Sequence, residues 1–203
     1  MTVRDHSPRA ALVARIAAMR ARRATPFVVA IDGRSGAGKS TLAQALAAEV
    51  GAAVIDGDDF YAGGSAAAWD AMTPAERANH CIDWRRQRPV LEALRQGHPA
   101  TWRAYDWDAD TGRLVDQPTR RDPAAIVILE GVYSARPQLA DLVDLAVLIE
   151  LPDPLRLAQL HRREGEHIQP EWERRWASAE EWYFDMVMPP AAFDLVLRPR
   201  RVG

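Results

Sequence analysis

Cysteine and lysine each occur only once in this sequence. The single cysteine, Cys81, cannot form an internal disulfide and cannot by itself build a cysteine-rich zinc site. We therefore expect a reducing, cytoplasmic environment. The single lysine, Lys39, stands among 26 basic residues that are otherwise all arginine, so the ammonium group at this one position needs a chemical explanation.

An excess of charge and a long apolar run are also missing. The 26 basic and 28 acidic residues leave a formal net charge of −2, so nothing indicates a nucleic-acid or membrane partner, and we expect a small ligand. Arginines interrupt residues 1–23, which excludes a signal peptide or membrane span there. With 203 residues, 48% of them apolar, we expect one domain over residues 1–203. A homo-oligomer stays open.

Short apolar runs alternate with helical patterns along the chain. The runs typical of buried strands are residues 27–31, 53–55, 125–129, 145–151 and 193–197. The helical patterns cover residues 8–23, 38–50, 83–96, 154–164 and 170–187. This alternation predicts an α/β domain with a mostly parallel sheet and flanking helices. Residues 62–122 are less regular and form a predicted insert over the ligand, with either two short strands or an extended loop at 101–105 and 114–116.

A complete phosphate-binding motif lies between the first predicted strand and the next helix. Residues 33–40 read G-R-S-G-A-G-K-S and match G-x-x-x-x-G-K-[ST]. Glycines let consecutive N–H groups point at one anion, the helix N-terminus adds positive charge, and Lys39 can reach the β- and γ-phosphates. The Ser40 hydroxyl could bind Mg²⁺. A glycine-rich turn without a ligand is the alternative, but a chance match in this context is rare.

Two other nucleotide-binding classes are disfavoured. The glycine order differs from the G-x-G-x-x-G of dinucleotide-binding folds, which argues against NAD. Switch GTPases usually recognise guanine through an Asn-Lys-x-Asp segment, and a chain without a second lysine cannot contain one.

Acidic residues follow two of the predicted strands. Asp56, Asp58 and Asp59 come after the second strand, and Glu130 ends the third. Ligands of parallel α/β sheets bind beyond the carboxyl ends of the strands. A carboxylate of the first group could therefore accept a proton from a hydroxyl acceptor, and Glu130 could hold Mg²⁺. The alternatives are a solvated turn or helix cap and an ordinary strand-end carboxylate.

Two patterns occur in the last helices. The first is a basic segment of Arg156, His161, Arg162 and Arg163. These side chains could close over a triphosphate, or they could form an exposed charged face of the helix. An aromatic stripe at helical spacing is interpreted as core packing outside the site, and comprises Trp172, Trp176, Tyr183 and Val187.

The order of these motifs resembles the uridine kinase family, within the wider group that includes phosphoribulokinase and bacterial pantothenate kinase. The resemblance covers residues 27–197, nearly the whole chain. Its marks are I-D-G-R-S-G-A-G-K-S-T at 31–41, D-D-F-Y at 58–61, Y-D-W at 105–107, L-E-G-V at 129–132 and D-P-L-R-L at 153–157. The chain departs from the family at Asp108, Ala109 and Asp110, where a histidine is expected, and at Ala158 and Gln159, where arginines are expected.

The resemblance implies a P-loop fold of the nucleoside monophosphate kinase-like type, with a helical lid at about residues 153–180. It implies that Asp58 is the base for the acceptor hydroxyl, and that Tyr61, Tyr105 and Asp106 line the acceptor site. Together with the phosphate-binding motif and the strand-end carboxylate, which give Mg²⁺ to Ser40 and Glu130, it leads us to expect catalytic roles for Lys39, Asp58 and Arg162. The implied ATP-binding residues are Gly33, Ser35, Gly36, Ala37, Gly38, Lys39, Ser40, Thr41, Arg156, Arg162 and Arg163.

The leading hypothesis is an ATP- and Mg²⁺-dependent kinase that phosphorylates a hydroxyl of a small molecule, with a nucleoside as the first choice of acceptor. A vitamin precursor, a sugar or a sugar acid could be phosphorylated by the same machinery. From a different class, a nucleotide-dependent regulatory or binding module with weak ATPase activity stays open.

Overall fold

A computed structural model describes residues 8–109, 112–164 and 170–199. The helices are α1 (Pro8–Arg20), α2 (Lys39–Val50), α3 (Ala66–Asp70), α4 (Pro74–His80), α5 (Trp84–Arg95), α6 (Asp153–Glu164) and α7 (Pro170–Met186). The strands are β1 (Phe27–Asp32), β2 (Ala53–Asp56), β3 (Ala100–Trp102), β4 (Thr119–Arg121), β5 (Ile126–Glu130), β6 (Leu145–Ile149) and β7 (Leu195–Leu197). Short 3₁₀ turns cover Gly57–Phe60, Pro137–Leu139 and Pro190–Ala192. Among the described helices, none is long and apolar enough to cross a membrane.

Five of the strands form one parallel sheet in the order β2-β5-β1-β6-β7. The predicted α/β class and parallel sheet are therefore confirmed. The register pairs Ile31 with Glu130 and Asp56 with Glu130, so the carboxyl ends of β1, β2 and β5 lie side by side. The acidic residues that end these strands are thereby brought to one edge of the sheet.

The strands are apolar along their whole length because both faces of the sheet are covered. In β1, Phe27, Val29 and Ile31 pack on the side of α1 and α2, which contribute Leu12 and Leu46. Val28 and Ala30 pack on the opposite side, which includes residues of α5 and α7. Each fully buried Val, Leu or Ile contributes about 1.5–3 kcal/mol through apolar burial. This double burial explains why continuous apolar runs predicted the strands correctly.

The insert between β2 and β5 consists of α3, α4, α5 and the antiparallel hairpin β3-β4. Of the two alternatives for residues 101–105 and 114–116, the strand pair has the wrong bounds, because the ladder joins β3 to β4 and the two segments meet only in an isolated bridge between Tyr105 and Leu114. The ladder resumes at Thr119, directly after Pro118, which has no N–H to donate. Asp110, part of the predicted turn, lies outside the described residues.

A buried carboxylate connects β1 to two neighbouring segments. Asp32 is fully buried and accepts hydrogen bonds from the N–H groups of Gly33 at 2.8 Å, Tyr133 at 3.0 Å and Ala135 at 3.0 Å. The Tyr183 hydroxyl of α7 donates a fourth bond at 3.0 Å. Tyr133 has a φ of 69°, which is unfavourable for a residue with a side chain, and its bond to Asp32 helps to hold it there. Asp32 therefore fixes the start of the glycine-rich loop, the segment after β5 and α7 relative to one another.

Replacing Asp32 by Asn should destabilise the fold by about 2 kcal/mol, because the new amide would turn N–H groups toward backbone N–H donors. Desolvation by burial raises the pKa of Asp32 from 3.8 to about 6. The folded state therefore binds the Asp32 proton more tightly than the unfolded state does. As the pH rises from 3.8 to about 6, the free energy of unfolding of the wild type should fall toward that of Asp32→Asn. Urea unfolding of both proteins across this range measures the difference.

Tyr183→Phe is the control for this prediction, because it removes one donor and leaves the carboxyl group in place. It should cost about 1 kcal/mol. A stability difference between the wild type and Asp32→Asn that is constant with pH, or that grows as the pH rises, would contradict the raised pKa of Asp32. A variant as stable as the wild type would contradict the role of Asp32 as an acceptor of four hydrogen bonds.

Candidate functional site

The loop between β1 and α2 has the backbone conformation that its sequence pattern requires. Gly33, Gly36 and Gly38 have φ angles of 149°, 79° and 93°, which favour glycine. Gly38 precedes α2 without a side-chain cap, so the first N–H groups of the helix are available to a ligand. The Lys39 ammonium is buried and donates a hydrogen bond to the Arg34 carbonyl at 3.2 Å. The loop is therefore preformed for an anion.

Two helices hold this loop from outside. The Ser35 N–H donates to the Glu180 carboxylate of α7 at 3.1 Å, and the Ser35 hydroxyl donates a second, short bond to the same oxygen. Arg156 of α6 donates to the Ser35 carbonyl at 3.2 Å. A Cβ atom at Gly36 would lie 2.5 Å from the Arg156 carbonyl oxygen. The close packing of α6 on the loop consequently depends on the glycine.

The three acidic residues after β2 have different surroundings. Asp56 caps the 3₁₀ turn and accepts the Asp58 N–H at 2.9 Å. Asp59 accepts the indole N–H of Trp102 at 2.7 Å and so attaches the turn to the β3-β4 hairpin. The side chain of Asp58 lies in the wall of a cavity. The alternative interpretation as a cap thus holds for Asp56, although Asp56 also lines this cavity, whereas Asp58 lines the cavity and caps no described turn.

The cavity beside Asp58 has a volume of about 510 Å³, and we call it the Asp58 cavity. Its polar and aromatic walls are Ser35, Asp56, Asp58, Tyr61, Cys81, Trp107, Tyr133, Arg163, Trp176 and Glu180, and the apolar remainder is Ile82, Val132 and Leu160. The cavity therefore begins at the phosphate loop, through Ser35, and extends under the insert. Tyr61, one of the predicted acceptor residues, lines it.

The other two predicted acceptor residues do not line this cavity. Tyr105 is buried behind Tyr61, with the two rings edge to face and their centroids 4.8 Å apart. The Asp106 carboxylate accepts the Ala109 N–H at 3.0 Å and so stabilises the turn that carries Trp107. Both residues therefore support the wall that Tyr61 and Trp107 form.

The predicted basic residues also differ in whether they line the Asp58 cavity. Arg156 is buried and pairs with Asp153 at 2.9 Å in addition to its bond to Ser35. Arg163 lies in the wall of the Asp58 cavity. Arg162 is exposed and lines neither of the two cavities described in this section. The segment 165–169 between α6 and α7, part of the predicted lid, lies outside the described residues.

A second cavity, of about 780 Å³, lies on the other side of the loop. We call it the Arg198 cavity. Its walls include Arg34 and Ala37 of the loop, the segment 148–153 after β6, Arg156, and Arg198 with Pro199 after β7. The phosphate loop thus contributes to the walls of two cavities, one on each side.

An oxygen-rich position that could hold Mg²⁺ lies at the end of β5. The Ser40 hydroxyl is near enough to the Glu130 carboxylate, which is 4% exposed, to favour its charged form. Desolvation in the cleft, together with the charges of Asp58 and Glu130, raises the pKa of Asp56 to about 7. Desolvation also raises the pKa of Glu130, while Ser40 and Lys39 oppose that change. A hydroxyl and a carboxylate fit a hard cation that completes its shell with phosphate oxygens and water.

A site built of protein carboxylates alone is not found. The described residues contain no group of three His, Cys, Asp or Glu side chains that could hold a metal ion.

Sequence reasoning missed three residues of the Asp58 cavity. Trp107 belongs to the quoted Y-D-W motif, but only its neighbours were selected. Trp176 was assigned to core packing, whereas it lines the cavity. Glu180 had one usable signal, because it lies four residues after Trp176 and places a carboxylate on the apolar side of the helix. The side chain of Trp172, in the same stripe, is outside the described part of the structure.

Comparison with known proteins gives this site its context. The family model described as the phosphoribulokinase/uridine kinase family matches residues 28–167. The chain belongs to this family. A uridine kinase from Streptococcus agalactiae serotype III (strain NEM316) is 25% identical over 172 residues, which are 82% of this chain and 79% of that protein. A uridine kinase from Deinococcus deserti is 30% identical over 113 residues, 54% of each chain.

Solved structures at lower identity have the same fold. D-glycerate 3-kinase from Cryptococcus neoformans var. grubii has a TM-score of 0.66 at 14% identity, over 97% of this chain and 98% of that chain. A Silicibacter sp. TM1040 protein assigned as a fructose transport system kinase has a TM-score of 0.69 at 22% identity, over 94% of this chain and 99% of that chain. The expected P-loop kinase fold is therefore confirmed, and this member of the phosphoribulokinase/uridine kinase family is an ATP-dependent kinase that acts on a hydroxyl group of a small molecule.

Gly36→Ala should weaken ATP binding about tenfold or more, because its Cβ would displace the loop from the Arg156 carbonyl. Gly97→Ala is a matched control, since Gly97 has the same φ of 79° and no atom within 4 Å of an added Cβ. Both variants should lose about 1–2 kcal/mol of stability from backbone strain. Calorimetric titration with ATP and urea unfolding separate the two effects, and equal ATP affinity in both variants would show that the α6 contact does not matter.

Proposed function

We propose that this kinase transfers the γ-phosphoryl group of ATP to a hydroxyl group of a small acceptor bound in the Asp58 cavity, with nucleosides as the first acceptor class to consider. The observation that carries the proposal is the position of Asp58. Its carboxylate lies in the wall of a cavity that begins at Ser35 of the phosphate loop. A carboxylate at that place can orient the hydroxyl and accept its proton as the phosphoryl group leaves ATP.

The two cavities suit the two substrates. The larger Arg198 cavity, with its mixed apolar and polar walls, has room for the base and ribose of ATP. A triphosphate that starts there and follows the loop amides ends near Ser35, which belongs to the Asp58 cavity. Donor and acceptor therefore approach each other from opposite sides of one loop.

The cationic groups around the loop have roles consistent with this direction. Lys39 and the loop amides, with Ser40 and Thr41 at the start of α2, would bind the β- and γ-phosphates. Arg163 lies in the wall of the Asp58 cavity, and its charge opposes the rise in the pKa of Glu130, so its guanidinium would act on the transferring group from this side. Arg162 would act there only after α6 moves, since its side chain is exposed. Arg156, bonded to Ser35 and Asp153, would hold the loop beside the nucleotide.

We assign Mg²⁺ to Ser40 and Glu130, supported by the effect of the Ser40 hydroxyl on the Glu130 carboxylate and by the nearby carboxyl group of Asp56, whose pKa desolvation raises. When bound, the cation would neutralise charge on the β- and γ-phosphates. The protein groups would fix its position: Ser40 from the first turn of α2 and Glu130 from the end of β5.

Measuring ADP release with purified protein across uridine, cytidine, sugars, sugar acids and pantothenate-like alcohols tests the proposal. We expect one alcohol class to stimulate release strongly over the rate without acceptor. ATP binding without stimulation by any alcohol would instead favour a regulatory or binding module.

Asp58→Asn should lower kcat by about 10²–10⁴-fold while ATP still binds, because the variant cannot accept the acceptor proton. Asp59→Asn is the matched control. It neutralises the neighbouring carboxylate, which accepts a hydrogen bond from Trp102 and does not line the Asp58 cavity. Single-turnover rates and ATP affinity should be measured for both. Near-normal turnover of Asp58→Asn would remove Asp58 from the mechanism.

Glu130→Gln should raise the Mg²⁺ concentration needed for half-maximal activity by about 10–100-fold, since a charged oxygen next to Ser40 is lost. Binding of ATP without Mg²⁺ should change little. A magnesium requirement equal to that of the wild type would place the cation elsewhere.

A further inference from the structure

Two tryptophans, one from the insert and one from α7, meet beside the Asp58 cavity. Trp176 of α7 lines the cavity, and its ring lies edge to face against the ring of Trp69 of α3, with the centroids 5.0 Å apart. Trp69 in turn stacks on Tyr61, which also lines the cavity, at 5.8 Å. The shape of the proposed acceptor site therefore depends on how closely α7 lies against α3.

An ion pair joins the two helices at the residues next to these rings. Asp70 follows Trp69, and Arg175 precedes Trp176. The Nε and Nη2 atoms of Arg175 lie 2.9 and 2.8 Å from the same oxygen of Asp70, and we call this contact the α3–α7 ion pair. The side chain of Arg175 is 8% exposed, whereas that of Asp70 is 62% exposed. Loss of the carboxylate would thus leave a buried guanidinium without its partner, which is costly.

Arg77 of α4 adds hydrogen bonds to neutral acceptors across the same boundary. It donates to the Trp69 carbonyl at 2.8 Å and to the Ser178 hydroxyl of α7 at 3.2 Å. The Ser178 hydroxyl donates in turn to the Arg175 carbonyl at 2.9 Å. Among the described contacts between α7 and the insert, only the α3–α7 ion pair brings two opposite charges together. It is therefore the contact that a change of one charge can break selectively.

The second half of α7 has separate anchors on the nucleotide side. Glu180 accepts the Ser35 N–H at 3.1 Å, and the Tyr183 hydroxyl donates to Asp32 at 3.0 Å. Neither contact involves the insert. Loss of the α3–α7 ion pair should therefore loosen the part of α7 that carries Trp176 and leave the phosphate loop in place.

We propose that Asp70 and Arg175 are positioning residues for the acceptor. Their ion pair keeps the ring of Trp176 against that of Trp69 and so holds the wall of the Asp58 cavity in its binding shape. The inference rests on the proposed function and deepens it, because it adds two residues that act on acceptor affinity through their neighbours. The same pair leaves ATP affinity unchanged, since the phosphate loop has its own anchors on α7.

The single cysteine offers a measurement that needs no acceptor. Cys81 lies in the wall of the Asp58 cavity and is 9% exposed, so a thiol reagent such as DTNB reacts with it only when the wall opens. Asp70→Asn should accelerate this labelling about tenfold, because the Arg175 guanidinium loses its charged partner. An opening of part of α7 exposes little surface, so the faster labelling should depend only weakly on urea concentration, unlike labelling through global unfolding.

Glu171→Gln is the matched control for the labelling experiment. It makes the same acid-to-amide change in an exposed ion pair of α7, in which Glu171 and Arg174 lie 3.1 Å apart. The labelling rate of this variant should equal that of the wild type. An unchanged labelling rate in Asp70→Asn, or an increase with the strong urea dependence of global unfolding, would overturn the inference.

The second measurement uses the alcohol of the acceptor panel that stimulates ADP release most. Asp70→Asn should raise the KM for that alcohol about threefold or more, with kcat and the calorimetric ATP affinity close to the wild-type values. Arg175→Gln should have a smaller effect because it leaves no unpaired buried charge, and the double variant should resemble Arg175→Gln.

Two kinetic results would overturn the inference. One is a lower kcat at an unchanged KM in Asp70→Asn, which indicates loss of folded protein without a change in the acceptor site. The other is an additive effect of Asp70→Asn and Arg175→Gln, which indicates that the two residues act separately. If no alcohol stimulates ADP release by the wild type, the proposed function fails, and the labelling of Cys81 still decides whether the ion pair holds the cavity wall.

Discussion

The contact of Ser35 with two helices is the constraint on which the rest of the site depends. The loop follows β1 and needs glycine to turn, but its third residue is bonded to Glu180 of α7 and to Arg156 of α6. A backbone N–H in an anion-binding loop thus already has an anionic partner from the protein. The same N–H dipoles that stabilise phosphate also stabilise a buried carboxylate, so the loop and Glu180 support each other.

This contact also determines how the space around the loop is divided. Because α6 packs on Gly36 and α7 reaches Ser35, the loop separates a cavity on the β6-β7 side from one under the insert. Asp32 also connects the phosphate loop to α7, because it accepts hydrogen bonds from Gly33, from the segment after β5 and from Tyr183 of α7. Donor and acceptor sites are therefore coupled through the polypeptide itself, and a change at either helix should be felt at the loop.

The sequence predicted those features that depend on local pattern. Strands buried on both faces are continuously apolar, so β1 and β5 were evident, and the phosphate loop is a contiguous motif whose glycines have a single conformational explanation. Asp58 was selected from three neighbouring acids only through resemblance to a family. The structure separates the three physically, because Asp56 caps a turn and Asp59 bonds to Trp102. The strand bounds in the insert were wrong because its ladder joins residues 100–102 to residues 119–121, far apart in the chain, and a local pattern does not record that pairing.

Glu180 and Trp176 show why the rest could not be predicted. Their helical spacing places both residues on one side of α7. That side contacts the phosphate loop, which lies about 145 positions earlier in the chain. The pattern is the same for a helix that packs on a core and for one that lines a cavity. The two cases differ only because Ser35 and Asp58 lie beside this side of α7, and the sequence around Trp176 and Glu180 does not indicate that contact.

The solitary lysine fits the same physical account. Lys39 is 8% exposed and its ammonium reaches back to the Arg34 carbonyl within the loop. A guanidinium is planar and bulkier and presents five donors in a fixed fork, so it cannot occupy a position that a compact point charge fills. Elsewhere in this chain arginine serves for ion pairs and carbonyl contacts, as at Arg88, Arg95 and Arg156. The chain therefore uses lysine in place of arginine at the one position where the phosphate loop has room only for an ammonium group.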